Sequence, residues 1–224
     1  MKITLHRALA RVKTTTERLN SLIAEIQYGK ALLADTYSNK SKTCSRSSKG
    51  KEDTEKEIQA TWDKFNSLYN ELVQLKKAIT LSNAGVTPDT DLQRVLVCGK
   101  WYTVAEIIAL QKVFDLKKSW LKTIKEANAH FRQVFEEKMS RVNSKLDDHI
   151  ETMLGSDAKK NDTSMVENFT KTYLEQNGFV LVDPLNLSKK IEELEKEIYD
   201  YTVESDSALS EANALRTIEL DEVA

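Results

Sequence analysis

From Leu5 onward, apolar residues recur at alternating steps of four and three: Leu5, Leu9, Val12, Leu19, Ile23, Ile26 and Leu33, with Thr16 and Lys30 filling the two remaining places. Side chains at that spacing share one stripe of a helix, so the pattern predicts a first helix over about residues 4–34. The series lapses through "SNKSKTCSRSSKGK" and resumes as Ile58, Trp62, Phe65, Tyr69, Leu72 and Ile79. A second helix is predicted over about 54–83, with Asp53 or Thr54 supplying an N-cap oxygen and Asn83 or Gly85 the left-handed residue that ends it. The two helices are expected to form an antiparallel hairpin across a flexible loop at 38–52. Trp62, Phe65 and Tyr69 sit at helical spacing, which marks core positions rather than a cofactor box.

The period then changes. "LQRVLVCGKWYT", about residues 92–103, places two β-favouring runs around Cys98-Gly99, the pattern of a tight hairpin with Gly99 where positive φ is needed. Thr103 followed three residues later by Glu106 is a capping box and announces a third helix over about 104–153. That helix carries Ile107, Leu110, Phe114, Leu121, Ile124, Phe131, Phe135, Val142 and Met153, and roughly 50 residues at about 1.5 Å each make a rod of about 75 Å. Lys117, Asn128, Lys138 and His149 fall in the same seam, so parts of it are expected to face solvent or a second chain.

A second flexible loop is expected at 155–163, then a short helix over about 164–177 ending at Asn177-Gly178. "FVLVDP" reads as a strand at 179–182 halted by Asp183-Pro184. The last helix, about 188–213, has Ile191, Leu194, Ile198, Tyr201, Ser205, Ala208 and Ala212 in unbroken three-four spacing. Its seam shrinks to Ser and Ala, which allows a neighbouring helix to approach closely. Asn213 mirrors Asn83 at a helix end, and a strand-like tail at Thr217 to Leu220 follows. The tails "RVLV", "KWYT", "FVLV" and "TIEL" are expected to pair in one small sheet at one end of the bundle. The fold class is therefore mainly α: an elongated antiparallel helical bundle or coiled coil with one very long helix and a small β-sheet at one end. A single domain over residues 1–224 is expected.

Composition agrees with helices: 6 Gly, 2 Pro and 30% charged residues in 224. A formal net charge of −2 leaves no global basic field for nucleic acid, and no apolar run approaches a membrane span or a signal peptide. A soluble chain made in the cytoplasm is expected. The basic loop gathers Lys40, Lys42, Arg46, Lys49 and Lys51 without an acid. These five are the candidate contacts for phosphate or an acidic partner, although the loop lacks the interleaved aromatics of a nucleic-acid surface and reads first as a solvated connector.

Cys44 and Cys98 are far apart and are expected to be free thiols. His6, His130 and His149 are scattered, and Asp147 and Asp148 beside His149 lack helical metal-ligand spacing. Neither a phosphate-cradling glycine loop nor a nucleophile elbow occurs. The residues therefore indicate no metal, no cofactor and no enzyme.

At "AITLSNA", "GKWYTVAEII", "VDPLNLSKKIEELEKEI" and "ESDSALSEANALRTIEL" the chain resembles a family of uncharacterised helical proteins of tailed bacteriophages and prophages, and "MKITLHRALA" resembles that family's start. Cys98 stands where the resemblance leads one to expect a second glycine in the hairpin turn, and Ser205 where it leads one to expect valine. The resemblance implies a virion or tail-associated structural protein, localised to the particle, with other phage structural proteins and copies of itself as partners. It carries over no catalytic residue. An assembly chaperone absent from the mature particle, or a lumenal protein contacting nucleic acid through residues 39–51, are the alternatives.

Overall fold

The computed structural model describes residues 3–84, 94–154 and 163–214. Among them run α1 (Leu5–Gln27), β1 (Asp35–Ser38), β2 (Thr43–Cys44), α2 (Lys51–Asn83), β3 (Arg94–Val97), β4 (Lys100–Thr103), α3 (Val104–Leu154), α4 (Thr163–Asn177), β5 (Phe179–Val182) and α5 (Leu187–Ala214). The protein is mainly α with small antiparallel sheets, as its periodicity predicts. Neither Gly nor Pro occurs within α1, α2, α3 or α5, so nothing in their sequences breaks the hydrogen-bond ladder. At 51 residues, α3 is about 77 Å long at about 1.5 Å per residue.

Contacts gather the chain into two compact units, one comprising Met1–Ala24, Phe65–Lys122 and Ile191–Ala224, the other Glu25–Lys64 and Thr123–Lys190. In the first, Phe65 stacks on Trp120 at 3.9 Å and Lys117 lies over Tyr69, so ascending α2 meets descending α3. Phe114 stacks on Tyr201 at 3.7 Å and Lys117 pairs with Glu197, which sets α3 and α5 antiparallel as well. Leu19, Leu72, Ile107 and Val113 fill the interior, and buried Ser205, Ala208 and Ala212 continue the small seam of α5. Val97 and Tyr102 bury the inner face of the β3–β4 hairpin.

The second unit holds a three-stranded antiparallel sheet in the order β2-β1-β5. Here the expected end sheet is corrected: "FVLV" pairs with Asp35–Ser38, from Asp35 opposite Val182 to Ser38 opposite Phe179, and β3–β4 stands as a separate two-stranded sheet. β1, "DTYS", is short and polar, so it had no sequence signal strong enough to lift it out of a loop reading. The "TIEL" tail, Thr217 and Gly85 lie outside the described residues.

Helix ends bring further corrections. α1 stops at Gln27 rather than near Ala34, because Gly29 adopts φ +72°. Gly29 N–H then donates to Ile26 O, and Lys30 N–H to Glu25 O, the paired bonds of a Schellman cap. Leu33 is fully buried all the same, from an extended segment rather than a helix face.

The α1 stripe is also displaced. Ala8, Thr15, Leu19, Leu22, Ile23 and Ile26 are buried, while Leu5 and Leu9 are 43% and 51% exposed. Ala8 and Thr15 lie on the same four-three ladder as Leu19, but neither is apolar enough to mark it.

Asn83 and Asn213 lie inside the ends of α2 and α5, and neither they nor Asn177 has positive φ, so the left-handed asparagine cap is not how these helices finish. Gly178 ends α4 for a different reason than φ: its N–H donates to Leu174 O, and a Cβ there would stand 2.5 Å from that oxygen. Asn186 takes φ +52°, and the Asp183 carboxylate accepts the Leu187 N–H at the start of α5.

Candidate functional site

The basic segment is a built structure rather than a free connector. Asp35 is buried at the start of β1, and its carboxylate accepts the N–H groups of Thr36 at 2.7 Å, Arg46 at 3.1 Å and Ser47 at 3.0 Å. Three amides aimed at one carboxylate hold residues 45–47 in place, as charge-assisted bonds do. Ser45 N–H donates to Thr36 O and Cys44 N–H to Lys49 O, while Lys42 and Ser48 make the turns at φ +58° and +57°. Asn39 reaches Leu174 O through its amide nitrogen and Gly178 O through its N–H.

The five candidate cations therefore have unequal roles. The Arg46 guanidinium donates to Gly29 O at 3.2 Å and lies 5.3 Å from the Phe131 ring centroid. Lys49 pairs with Glu57 at 2.7 Å, and Lys51 approaches Glu55 at 3.8 Å. Lys40 and Lys42 are exposed, with no ion pair among the described residues. Two lysines release few counterions, so this segment offers little of the cumulative attraction on which a nucleic-acid surface depends.

Lys138, predicted to face solvent or a second chain, enters the segment from α3. Its ammonium donates to Thr36 Oγ1 at 2.7 Å and to Ser45 Oγ, and it lies 5.3 Å from the Phe179 centroid. Burial pushes its pKa down, against the opposing pull of the Asp35 carboxylate. A lysine against a serine hydroxyl has the outline of a nucleophile and its base. An acyl-transfer site would also need free amides to receive an oxyanion, and those of Ser45, Arg46 and Ser47 are committed to Thr36 O and Asp35. The cluster is thus a polar anchor for the sheet.

The β3–β4 hairpin is the second candidate surface. Cys98 and Gly99 have φ +48° and +71°, the two positive values of a type I′ turn, and Cys98 N–H donates to the Glu204 carboxylate. The capping box closes as expected: Thr103 N–H donates to Glu106 Oε2 at 2.8 Å and Glu106 N–H to Thr103 Oγ1 at 3.2 Å. Leu96 and Trp101 oppose each other across the strands, and they are 51% and 62% exposed. An outward Trp-Leu pair on a strongly held hairpin is an apolar contact left in water.

Cys44 is buried and Cys98 exposed, both as free thiols, and burial raises the pKa of each. Among the described residues no group of three His, Cys, Asp or Glu is placed to hold a metal, and no helix is long and apolar enough to cross a membrane. Compared with protein-family models, with curated proteins and with solved structures, the chain matches none. Sequence reasoning missed Asp35, Gly29 and the anchoring role of Lys138. Only Gly29, a glycine interrupting a helical period, carried a local signal.

Proposed function

We propose that the chain is a non-enzymatic structural subunit of a tailed bacteriophage particle, holding its place by contacts with neighbouring protein subunits. The phage setting rests on the ordered phrases "AITLSNA", "GKWYTVAEII", "VDPLNLSKKIEELEKEI" and "ESDSALSEANALRTIEL". The structural observation that carries the contact role is the exposed Leu96–Trp101 pair, held by a tight turn and a capped helix start. Tryptophan in such a position is a frequent anchor of protein interfaces, because its large area is buried at small entropic cost. The chemistry of the polar segment supports the non-enzymatic reading, since its amides and most of its cations are occupied internally.

An assembly chaperone or adaptor would use the same contact and then leave. Mass spectrometry of purified particles and of infected-cell lysate separates the two. Peptides of this chain in the particle support the structural role; peptides in the lysate alone transfer the proposal to the chaperone. The nucleic-acid alternative is disfavoured by the engagement of Arg46, Lys49 and Lys51 within the chain.

A further inference from the structure

The β3–β4 hairpin turns one face to its own chain and the other to solvent. Val97 and Tyr102 are buried on the inner face, and Cys98 N–H at the tip donates to the Glu204 carboxylate of α5. Side chains alternate along a strand, so Leu96 and Trp101 point away from that inner face. Arg94 shares their face two residues before Leu96, Lys100 adjoins Trp101, and both cations are exposed. No acidic residue occurs from Arg94 through Thr103. The outward face is thus apolar at its centre and basic around it.

α5 carries the converse surface within the same compact unit. Tyr199 and Val203, about one turn apart, are 68% and 50% exposed. At about 100° per residue they lie opposite the buried Leu194, Tyr201, Ala208 and Ala212. Exposed Glu192, Glu195 and Asp206 flank them, and from Ile191 to Ala214 eight acidic residues stand against the single Lys196. Two apolar pairs flanked by opposite charge are complementary, since the charges steer and orient an approach that the apolar centres then hold.

The two faces do not meet within one chain. Glu204, where the hairpin tip is held, lies about 100° or more around α5 from Tyr199 and Val203, and the hairpin meets its own helix with the side opposite to Leu96 and Trp101. We propose that the Leu96–Trp101 face of one copy docks on the Tyr199–Val203 face of a second copy, with Arg94 and Lys100 set against Glu192, Glu195 and Asp206. This rests on the contact role given to the hairpin above and names the partner as the same protein. Because the docking faces differ, reciprocal docking closes a pair, and one-way docking extends a ring or a filament.

Sedimentation of the purified full chain at low salt tests this, alongside two double variants checked for unchanged melting: Leu96→Ser with Trp101→Ser, and Tyr199→Ser with Val203→Ser. The natural chain should self-associate with Kd on the order of 10 μM, weakening about tenfold between about 0.05 and 0.5 M salt as the attraction is screened. Each double variant alone should remain monomeric at about ten times that concentration. Mixed, the two should recover a pair and nothing larger, since one intact hairpin then meets one intact α5 face. Arg94→Glu and Asp206→Lys keep both apolar faces, and each should weaken the natural association about five- to tenfold. A natural chain that stays monomeric at about 100 μM would overturn the proposal. So would undiminished association of either double variant, or a mixture that stays monomeric. Retention in purified particles is read separately by mass spectrometry. A chain that is retained through Leu96 and Trp101 but does not self-associate would sink this inference alone and leave the proposed function standing, with a different protein as the partner.

Discussion

Gly29 and Cys98 both take left-handed backbone, with opposite consequences for substitution. At Gly29, a Cβ would stand 1.7 Å from Arg46 Nη2, so alanine must both adopt φ +72° and displace the guanidinium from Gly29 O. Gly29→Ala is expected to cost about 1–2 kcal/mol, read as a melting temperature lower by about 2–6 °C. At Cys98 the strain is already present, and nothing lies within 4 Å of a Cβ at the adjoining Gly99. Cys98→Gly relieves about 1–2 kcal/mol of left-handed strain and returns part of it as unfolded-chain entropy, for a net gain of about 0.5–1 kcal/mol in urea unfolding. Gly29 was legible in the sequence as a glycine among helical residues, yet the apolar period carried the reading through it to Leu33. Alkaline pH probes a third residue. Burial pushes the Tyr201 pKa from 10.0 up to about 12, so the fold keeps this proton after the unfolded chain has lost it. That stability is present below pH 10 and lost as pH rises toward about 12, and Tyr201→Phe should flatten the decline in urea midpoints across that window.

The start of α3 joins hairpin to helix through two reciprocal bonds at Thr103 and Glu106, both buried. Glu106→Ala leaves the Thr103 N–H unpaired in a dry site, and a loss of about 1–2 kcal/mol in thermal or urea unfolding is expected. Elements of this kind were readable because each is coded locally. A capping box, a Cys-Gly turn and a three-four ladder specify their geometry within a few residues. The β2-β1-β5 sheet was not readable, because its pairings join Asp35–Ser38 to Phe179–Val182 across the length of α2 and α3. Nothing in "FVLV" states which edge it will find. The same distance hid the polar anchor, where Lys138 meets Thr36 and Ser45, residues remote in sequence that no short motif associates.

For the whole molecule, period and composition were enough to establish a mainly helical chain with a helix of 51 residues. The proposed function was less legible, since a contact role needs no fixed constellation of chemical groups, and an exposed Trp101 becomes visible only once the hairpin face is known. The proposed structural role predicts that this chain is retained in a phage particle through protein contacts that include Leu96 and Trp101. Quantitative mass spectrometry of purified particles tests it most directly, comparing the natural chain with a Leu96→Ser, Trp101→Ser double variant checked for unchanged melting. Several copies of the natural chain per particle, with the variant reduced about tenfold or more, is the expected result, since truncating an interface anchor typically costs about 1–2 kcal/mol or more. Particles free of the natural chain would contradict the structural role, and equal retention of the variant would contradict the contact assigned to the hairpin.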